Sequence, residues 1–203
     1  MENEIQPGPD RDFQLELDKL EACGNLRVLP ETCSDGKWIE AGGRRMLNLS
    51  SNDYLGLASD KALREEFLRT VEERDLCFSS SSSRLLTGNF PAYRELESLL
   101  ASLFGAESAL VFSSGYHMNT GILPAVTDAN TLILADKLVH ASLIDGIRLS
   151  AAKCIRYRHQ DYAQLENLLA KHHGEYHRII VVTESVFSMD GDVASLDRLV
   201  EPV

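Results

Sequence analysis

Ala109-Leu-Val-Phe-Ser-Ser-Gly-Tyr-His-Met-Asn-Thr-Gly121 is an apolar run that stops at small polar residues and restarts with helical spacing. Ala109 to Phe112 reads as a buried strand, and Ser113-Ser-Gly115 as a tight turn from which the next helix opens with unpaired backbone N–H groups. Such an opening suits an anion. Gly115 lets the backbone come close, the Ser113 and Ser114 hydroxyls can donate, and the helix dipole favours a phosphate. Taken alone, the tripeptide is more often an ordinary N-cap, so its meaning depends on its surroundings.

Downstream, the hydrophobic period alternates between strand and helix. Strands are expected near 108–112, 131–135, 153–157 and 178–183, and helices near 115–125, 140–150, 161–172 and from about 195. This is the pattern of an α/β protein with a mostly parallel sheet and crossover helices, whose ligands bind beyond the C-terminal ends of the strands. The informative turns are therefore Ser113-Ser-Gly-Tyr116, Asp136-Lys-Leu-Val-His140 and Glu184-Ser-Val-Phe-Ser-Met-Asp-Gly-Asp192.

Upstream, residues 1–11 are polar, and Phe13, Leu17 and Leu20 fall on one face of a short helix. Leu26–Leu29, Lys37–Ile39 and Arg45–Leu49 read as short strands of a small antiparallel appendage. Asp60 is the N-cap of a helix running to about residue 74. The serine run Ser79–Ser83 has the composition of a flexible linker, but the dense Arg84-Leu-Leu-Thr-Gly-Asn-Phe-Pro-Ala-Tyr93 that follows is built to be ordered. Pro91 suits the first turn of the next helix and Gly105 its end. The expected division is an N-terminal arm and small-domain segment over 1–58 and a large domain over 59–203.

Composition narrows the function. The chain has 203 residues, 44% hydrophobic and 25% charged, the balance of a globular protein. A formal net charge of −11 without a basic stripe argues against nucleic acid or an anionic membrane as the main partner. Cys23, Cys33, Cys77 and Cys154 show no CxxC spacing, so neither a zinc ribbon nor a disulfide framework is indicated. With no signal-peptide pattern and no bilayer-length apolar run, a cytoplasmic protein is expected. His172, His173 and His177 contain an HxxxH pair, but no acidic residue has the HExxH placement, and no metal site is assigned. GxSxG and GxxxxGK[ST] are both lacking.

Ser114, His140, Glu184 and Ser188 lie on the turns expected at one edge of the sheet. Together they could hold a phosphorylated, flat, aromatic cofactor: a helix N-terminus for the phosphate and an imidazole for one ring face. The plain alternatives are a capping or core role for His140 and a polar turn over 185–192.

Five segments in order then resemble the α-oxoamine synthases, pyridoxal-phosphate enzymes of the aspartate-aminotransferase fold (PLP fold type I). They are Ser51-Asn-Asp-Tyr-Leu-Gly-Leu57, Ser83-Arg-Leu-Leu-Thr-Gly-Asn89, Phe112-Ser-Ser-Gly-Tyr116, His140-Ala-Ser-Leu-Ile-Asp-Gly146 and Thr183-Glu-Ser-Val-Phe-Ser-Met-Asp-Gly-Asp192. The resemblance implies pyridoxal 5'-phosphate as cofactor. It puts the Gly115 and Tyr116 amides on the phosphate, His140 against the pyridine ring and substrate as the catalytic residue, and Ser188 near the ring hydroxyl, while Ser114 and Glu184 complete the expected cofactor-binding set. Asn52 would stand at the substrate mouth, and Arg27 would meet an acyl-chain carboxylate. It further implies a homodimer acting on an amino acid and an acyl-CoA or acyl-carrier protein.

Arg84–Asn89 and Asn52–Gly56 most resemble the family member that condenses L-alanine with a pimeloyl thioester for biotin. The glycine C-acetyltransferase member stands as the alternative, followed by the 5-aminolevulinate and serine-palmitoyl members. Two departures stand out. Ser79–Ser83 replaces the family's Gly-Ser-Gly-Gly-Ser, and serine tolerates positive φ poorly. The chain also ends before the family's Asp-x-x-His segment and Schiff-base lysine. This suggests the N-terminal part of an enzyme, inactive alone, or else a binding module of the same ancestry.

Overall fold

The structure, a computed structural model, describes residues 10–72 and 77–200, and these divide into two compact units between Ser79 and Ser80. The division falls later than residue 58. The Asp53 carboxylate accepts from the Ala58 N–H at 3.2 Å, which joins the run-up of the next helix to the first unit.

The first unit carries α1 (Asp10–Ala22), three short strands β1 (Thr32–Asp35), β2 (Trp38–Ala41) and β3 (Arg44–Leu47), and α2 (Lys61–Thr70). The strands form an antiparallel meander in the order β1-β2-β3. Two-residue turns at Gly36-Lys37 and Gly42-Gly43 set its register. Positive φ at Gly42 and Gly43 is what such a tight hairpin demands. The strand expected at Leu26–Leu29 does not form: Val28 and Leu29 are exposed, and pairing starts only after Pro30, at Thr32. Asp60 caps α2 as expected, accepting from the Leu63 N–H at 3.0 Å. The expected extension of this helix to 74 reaches residues outside the described set, but the helix already ends at Thr70.

The second unit holds α3 (Pro91–Phe104), α4 (Gly115–Val126), β4 (Thr131–Asp136), α5 (Ala141–Leu149), β5 (Lys153–Tyr157), α6 (Tyr162–His172), β6 (Arg178–Val182) and α7 (Leu196–Val200). The three strands are parallel in the order β5-β4-β6. Every residue of the central strand β4 is buried. Alternation sends Ile133 and Ala135 to one face, with Leu123 of α4 and Ile147 of α5. Leu132 and Leu134 go to the other face, with Tyr157 and Leu165 of α6. Helices on both faces of a parallel sheet are the expected α/β architecture.

Residues 108–112 are not the buried strand that their sequence suggests. The Val111 N–H donates to Glu97 Oε1 at 2.8 Å, and its carbonyl accepts from the Arg84 guanidinium at 3.0 Å, so side chains take the groups a ladder would have used. Arg84 and Glu97 pair through two bonds of 2.7 and 2.9 Å, and the guanidinium stacks 4.2 Å from the Tyr93 ring centre. The end of the serine run is tied into the second unit. Leu86 and Gly88 N–H groups donate to the Ser83 carbonyl, and a Cβ on Gly88 would sit 2.0 Å from the Ser82 carbonyl oxygen. Ser81 takes φ +55°, the left-handed conformation for which the family pattern has glycine. Pro91 and Gly105 start and end α3 as their positions foretell.

Candidate active site

Beyond the C-terminal end of β4, the start of α4, the start of α5 and the chain after β6 enclose an open cleft of about 500 Å³. Gly115, Tyr116, Asn119, His140, Ser142 and Glu184 are among its lining residues. At α4, Ser114 is the N-cap, its hydroxyl accepting from the His117 N–H at 3.1 Å. The N–H groups of Gly115 and Tyr116 open the helix with no acceptor inside it. A Cβ on Gly115 would meet nothing within 4 Å, so a ligand can approach these amides closely. The Tyr116 phenol donates to Asp145 Oδ2 at 3.2 Å, and the charge of Asp145 pushes its pKa up.

His140 is the N-cap of α5, so the capping role weighed from sequence is present together with a place in the cleft lining. Its Nδ1 accepts from the Ser142 N–H at 3.1 Å and lies 2.7 Å from the Ser142 hydroxyl. That hydroxyl accepts in turn from the Asn119 side-chain amide at 2.8 Å. With Nδ1 held as an acceptor, the neutral ring carries its proton on Nε2. The His140 backbone N–H donates to Glu184 Oε1, which ties the start of α5 to the chain after β6.

Four of the expected residues, Gly115, Tyr116, His140 and Glu184, thus line one cleft, with Ser114 capping its helix. Ser188 does not line it. The turn at 188–190 folds the chain back, leaving Ser188 exposed and placing Ser185 in the lining instead. Arg27 and Asn52 are exposed residues of the first unit. No lysine of the described residues lines the cleft. The histidines of the HxxxH stretch are used separately: His172 Nδ1 pairs with Glu175 at 2.7 Å, and His177 Nδ1 lies 3.1 Å from the Asn130 carbonyl. Sequence reasoning missed Asn119 and Ser142. The spacing of His140 and Ser142 at a helix start signals the Ser142 contact, whereas nothing local signals that Asn119 reaches it.

The aminotransferase class I and II family matches residues 44–201, and the chain belongs to it. Within that family it is similar to the α-oxoamine synthases that the motifs resemble. The 8-amino-7-oxononanoate synthase of Haemophilus ducreyi is 61% identical over 191 residues, covering 93% of this chain and 49% of the relative. A Haemophilus influenzae protein described as a putative 8-amino-7-oxononanoate synthase is 57% identical over 189 residues, covering 93% and 50%. Among solved structures, a serine palmitoyltransferase variant from S. paucimobilis with a bound PLP–myriocin aldimine superposes with TM-score 0.78 at 27% identity, covering 93% of this chain and 47% of that one. The chain spans about half the length of the curated relatives it matches. No helix among the described residues is long and apolar enough to cross a membrane.

Proposed function

We propose that the cleft holds pyridoxal 5'-phosphate and that the whole protein condenses L-alanine with a pimeloyl thioester, with loss of carbon dioxide, to give 8-amino-7-oxononanoate. The observation that carries this reading is the convergence of a capped helix N-terminus, a tautomer-fixed histidine and Glu184 on one cleft. The residues fit the cofactor: the open cradle at Gly115 and Tyr116 suits a phosphate, and His140 offers a flat ring beside it. The bound cofactor supplies the electron sink for a carbanion at the amino acid's α-carbon. The chain's own residues orient it. Gly115 and Tyr116 amides hold the phosphate, Glu184 fixes the backbone of His140, and Asn119 with Ser142 fixes its ring.

Two relatives named for 8-amino-7-oxononanoate synthase, at 57% and 61% identity, support this substrate assignment over the glycine-using alternative. Arg84 does not enter as a substrate contact, since Glu97, Val111, Asn89 and Tyr93 occupy it. Arg27 for the acyl carboxylate, Asn52 for the substrate mouth and a homodimer belong to the same proposal. The test is to assay the whole protein with alanine, glycine and serine against pimeloyl-, acetyl- and long-chain acyl-CoA. Alanine with pimeloyl-CoA should be preferred; a preference for glycine with acetyl-CoA would overturn the assignment.

A further inference from the structure

Next to the turn that carries Glu184 lies a polar cluster that the cleft does not use. His159 follows β5, with Nδ1 2.9 Å from Asp136 Oδ1 and Nε2 2.7 Å from Asp192 Oδ2. A neutral imidazole has one N–H and one lone pair, so between two carboxylates its lone pair would face an oxygen. Only the imidazolium donates to both. Asp136 is 1% exposed and also accepts from the N–H groups of Leu138 at 2.8 Å and Gln160 at 2.9 Å. A carboxylate so enclosed requires a counter-charge. The Phe187 ring stands edge-on to His159 at 4.5 Å, and the Gln160 amide donates to the same Asp192 oxygen. Among the described residues, Asp136 and Asp192 are the charged groups facing the imidazole. Asp136 first and then Asp192 raise its pKa above the ordinary histidine value.

The turn is stiff enough to pass this restraint on. The Phe187 N–H donates to the Asp192 carbonyl at 3.0 Å, Gly191 N–H to the Phe187 carbonyl at 2.7 Å, and Ala194 N–H to the Ser185 carbonyl at 3.0 Å. Phe187 itself is buried in the core. Asp192 is thus tied to Phe187, and Ala194, two residues on, to Ser185; Glu184 is the next residue along.

We propose that His159 is a positioning residue: as an imidazolium bridging Asp136 and Asp192, it clamps the 184–192 turn to the end of β4 and so sets Glu184 and the His140 backbone at the cleft. Because its pKa is raised in the folded protein, this clamp is complete below the ordinary histidine value near 6.5 and is lost as pH rises through the raised value. The ligand arm of the test rests on the cofactor reading above, and the exchange arm does not.

Ring nitrogen spectra of the protein near neutral pH should show protons on both His159 nitrogens. In His159→Gln, amide exchange at His140, Gly191 and Ala194 should speed about tenfold, as expected for losing a charged hydrogen bond, while Leu132–Leu134 stay protected. Pyridoxal phosphate affinity should fall in step. With exchange expressed as protection relative to the intrinsic, base-catalysed rate at each pH, raising the pH should reproduce the change in the wild type and leave the protection of the variant flat. A neutral His159 ring, or an unchanged His140 amide in the variant, overturns the proposal. If His159→Gln loses protection throughout β4, Asp192→Asn, which leaves the Asp136–His159 pair in place, decides it by the same His140 amide. Failure of pyridoxal phosphate to bind the wild type would defeat the cofactor reading and leave the exchange result standing.

Discussion

Replacing Gly146 by alanine tests the crossing of α4 and α5, on which the Asn119–Ser142–His140 chain depends. A Cβ at Gly146 would lie 2.3 Å from the Asn119 carbonyl oxygen, 3.0 Å from its carbonyl carbon and 3.1 Å from Leu123 Cδ1. Two of the three atoms are helix backbone, so α4 as a whole must move. Overpacking of this kind costs about 1–3 kcal/mol, and a rigid obstacle puts Gly146→Ala at the upper end. Alanine regains about 1 kcal/mol of helix propensity, leaving a net loss of about 2 kcal/mol. For a domain of this size that is a melting temperature lower by roughly 4–8 °C. Gly121→Ala on α4 is the control. Its Cβ would meet only Phe112 Cε1 at an ordinary 3.7 Å, so it should gain up to about 1 kcal/mol from propensity alone. Thermal and urea unfolding of the two variants should move in opposite directions. Equal stability of Gly146→Ala and Gly121→Ala would refute the close crossing and the hydrogen-bond geometry built on it.

Three further outcomes follow from the structure. Ser142→Ala should cost about 1 kcal/mol, because it removes the acceptor of the Asn119 amide and one partner of His140 Nδ1; its signature is a mixed His140 tautomer in ring nitrogen spectra, and an unchanged tautomer would show that the backbone N–H suffices. The Arg84 hydrogen bonds, followed by the Val111 N–H, hold the Glu97 carboxyl below the usual carboxylate range. Its contribution is present above the ordinary value near 4.3 and lost as pH falls through the lowered one, so the stability gap between wild type and Glu97→Gln should close in acid, and a gap constant with pH would argue against the charge. Borohydride reduction after incubation with pyridoxal phosphate should label the six lysines of this chain sparsely, since none lines the cleft; a stoichiometric adduct at one of them would place an amine at the cleft.

What could be read from the sequence is what is local. The apolar run at Thr131–Asp136 gave the central strand because a strand buried on both faces needs no alternation. Ser114, Asp60, Pro91 and Gly105 marked helix ends through chemistry that acts within a few residues. Features set by distant partners were hidden. Ala109–Phe112 has strand composition, yet Glu97 and Arg84, 14 and 27 residues away from Val111, claim the backbone of that residue. His159 attracts no notice in the sequence, since Asp136 and Asp192 lie 23 and 33 residues from it. Ser81 shows the converse: the family glycine pattern named the position, and the backbone keeps the left-handed turn with a serine in it.

The strand order β5-β4-β6 also bears on how the chain is made. β4 can pair with β5 as soon as both have left the ribosome, but its other edge must wait for β6, whose Arg178 pairs with Thr131. At about 5–20 residues per second, those roughly 50 residues take several seconds to synthesise. Throughout that interval the most buried strand of the protein presents an open hydrogen-bonding edge, which is the kind of template that recruits neighbouring nascent chains. Slower translation across α6 should therefore lower the yield of correctly paired sheet, so synonymous slow codons between Tyr162 and His172 are expected to lower it without altering any residue.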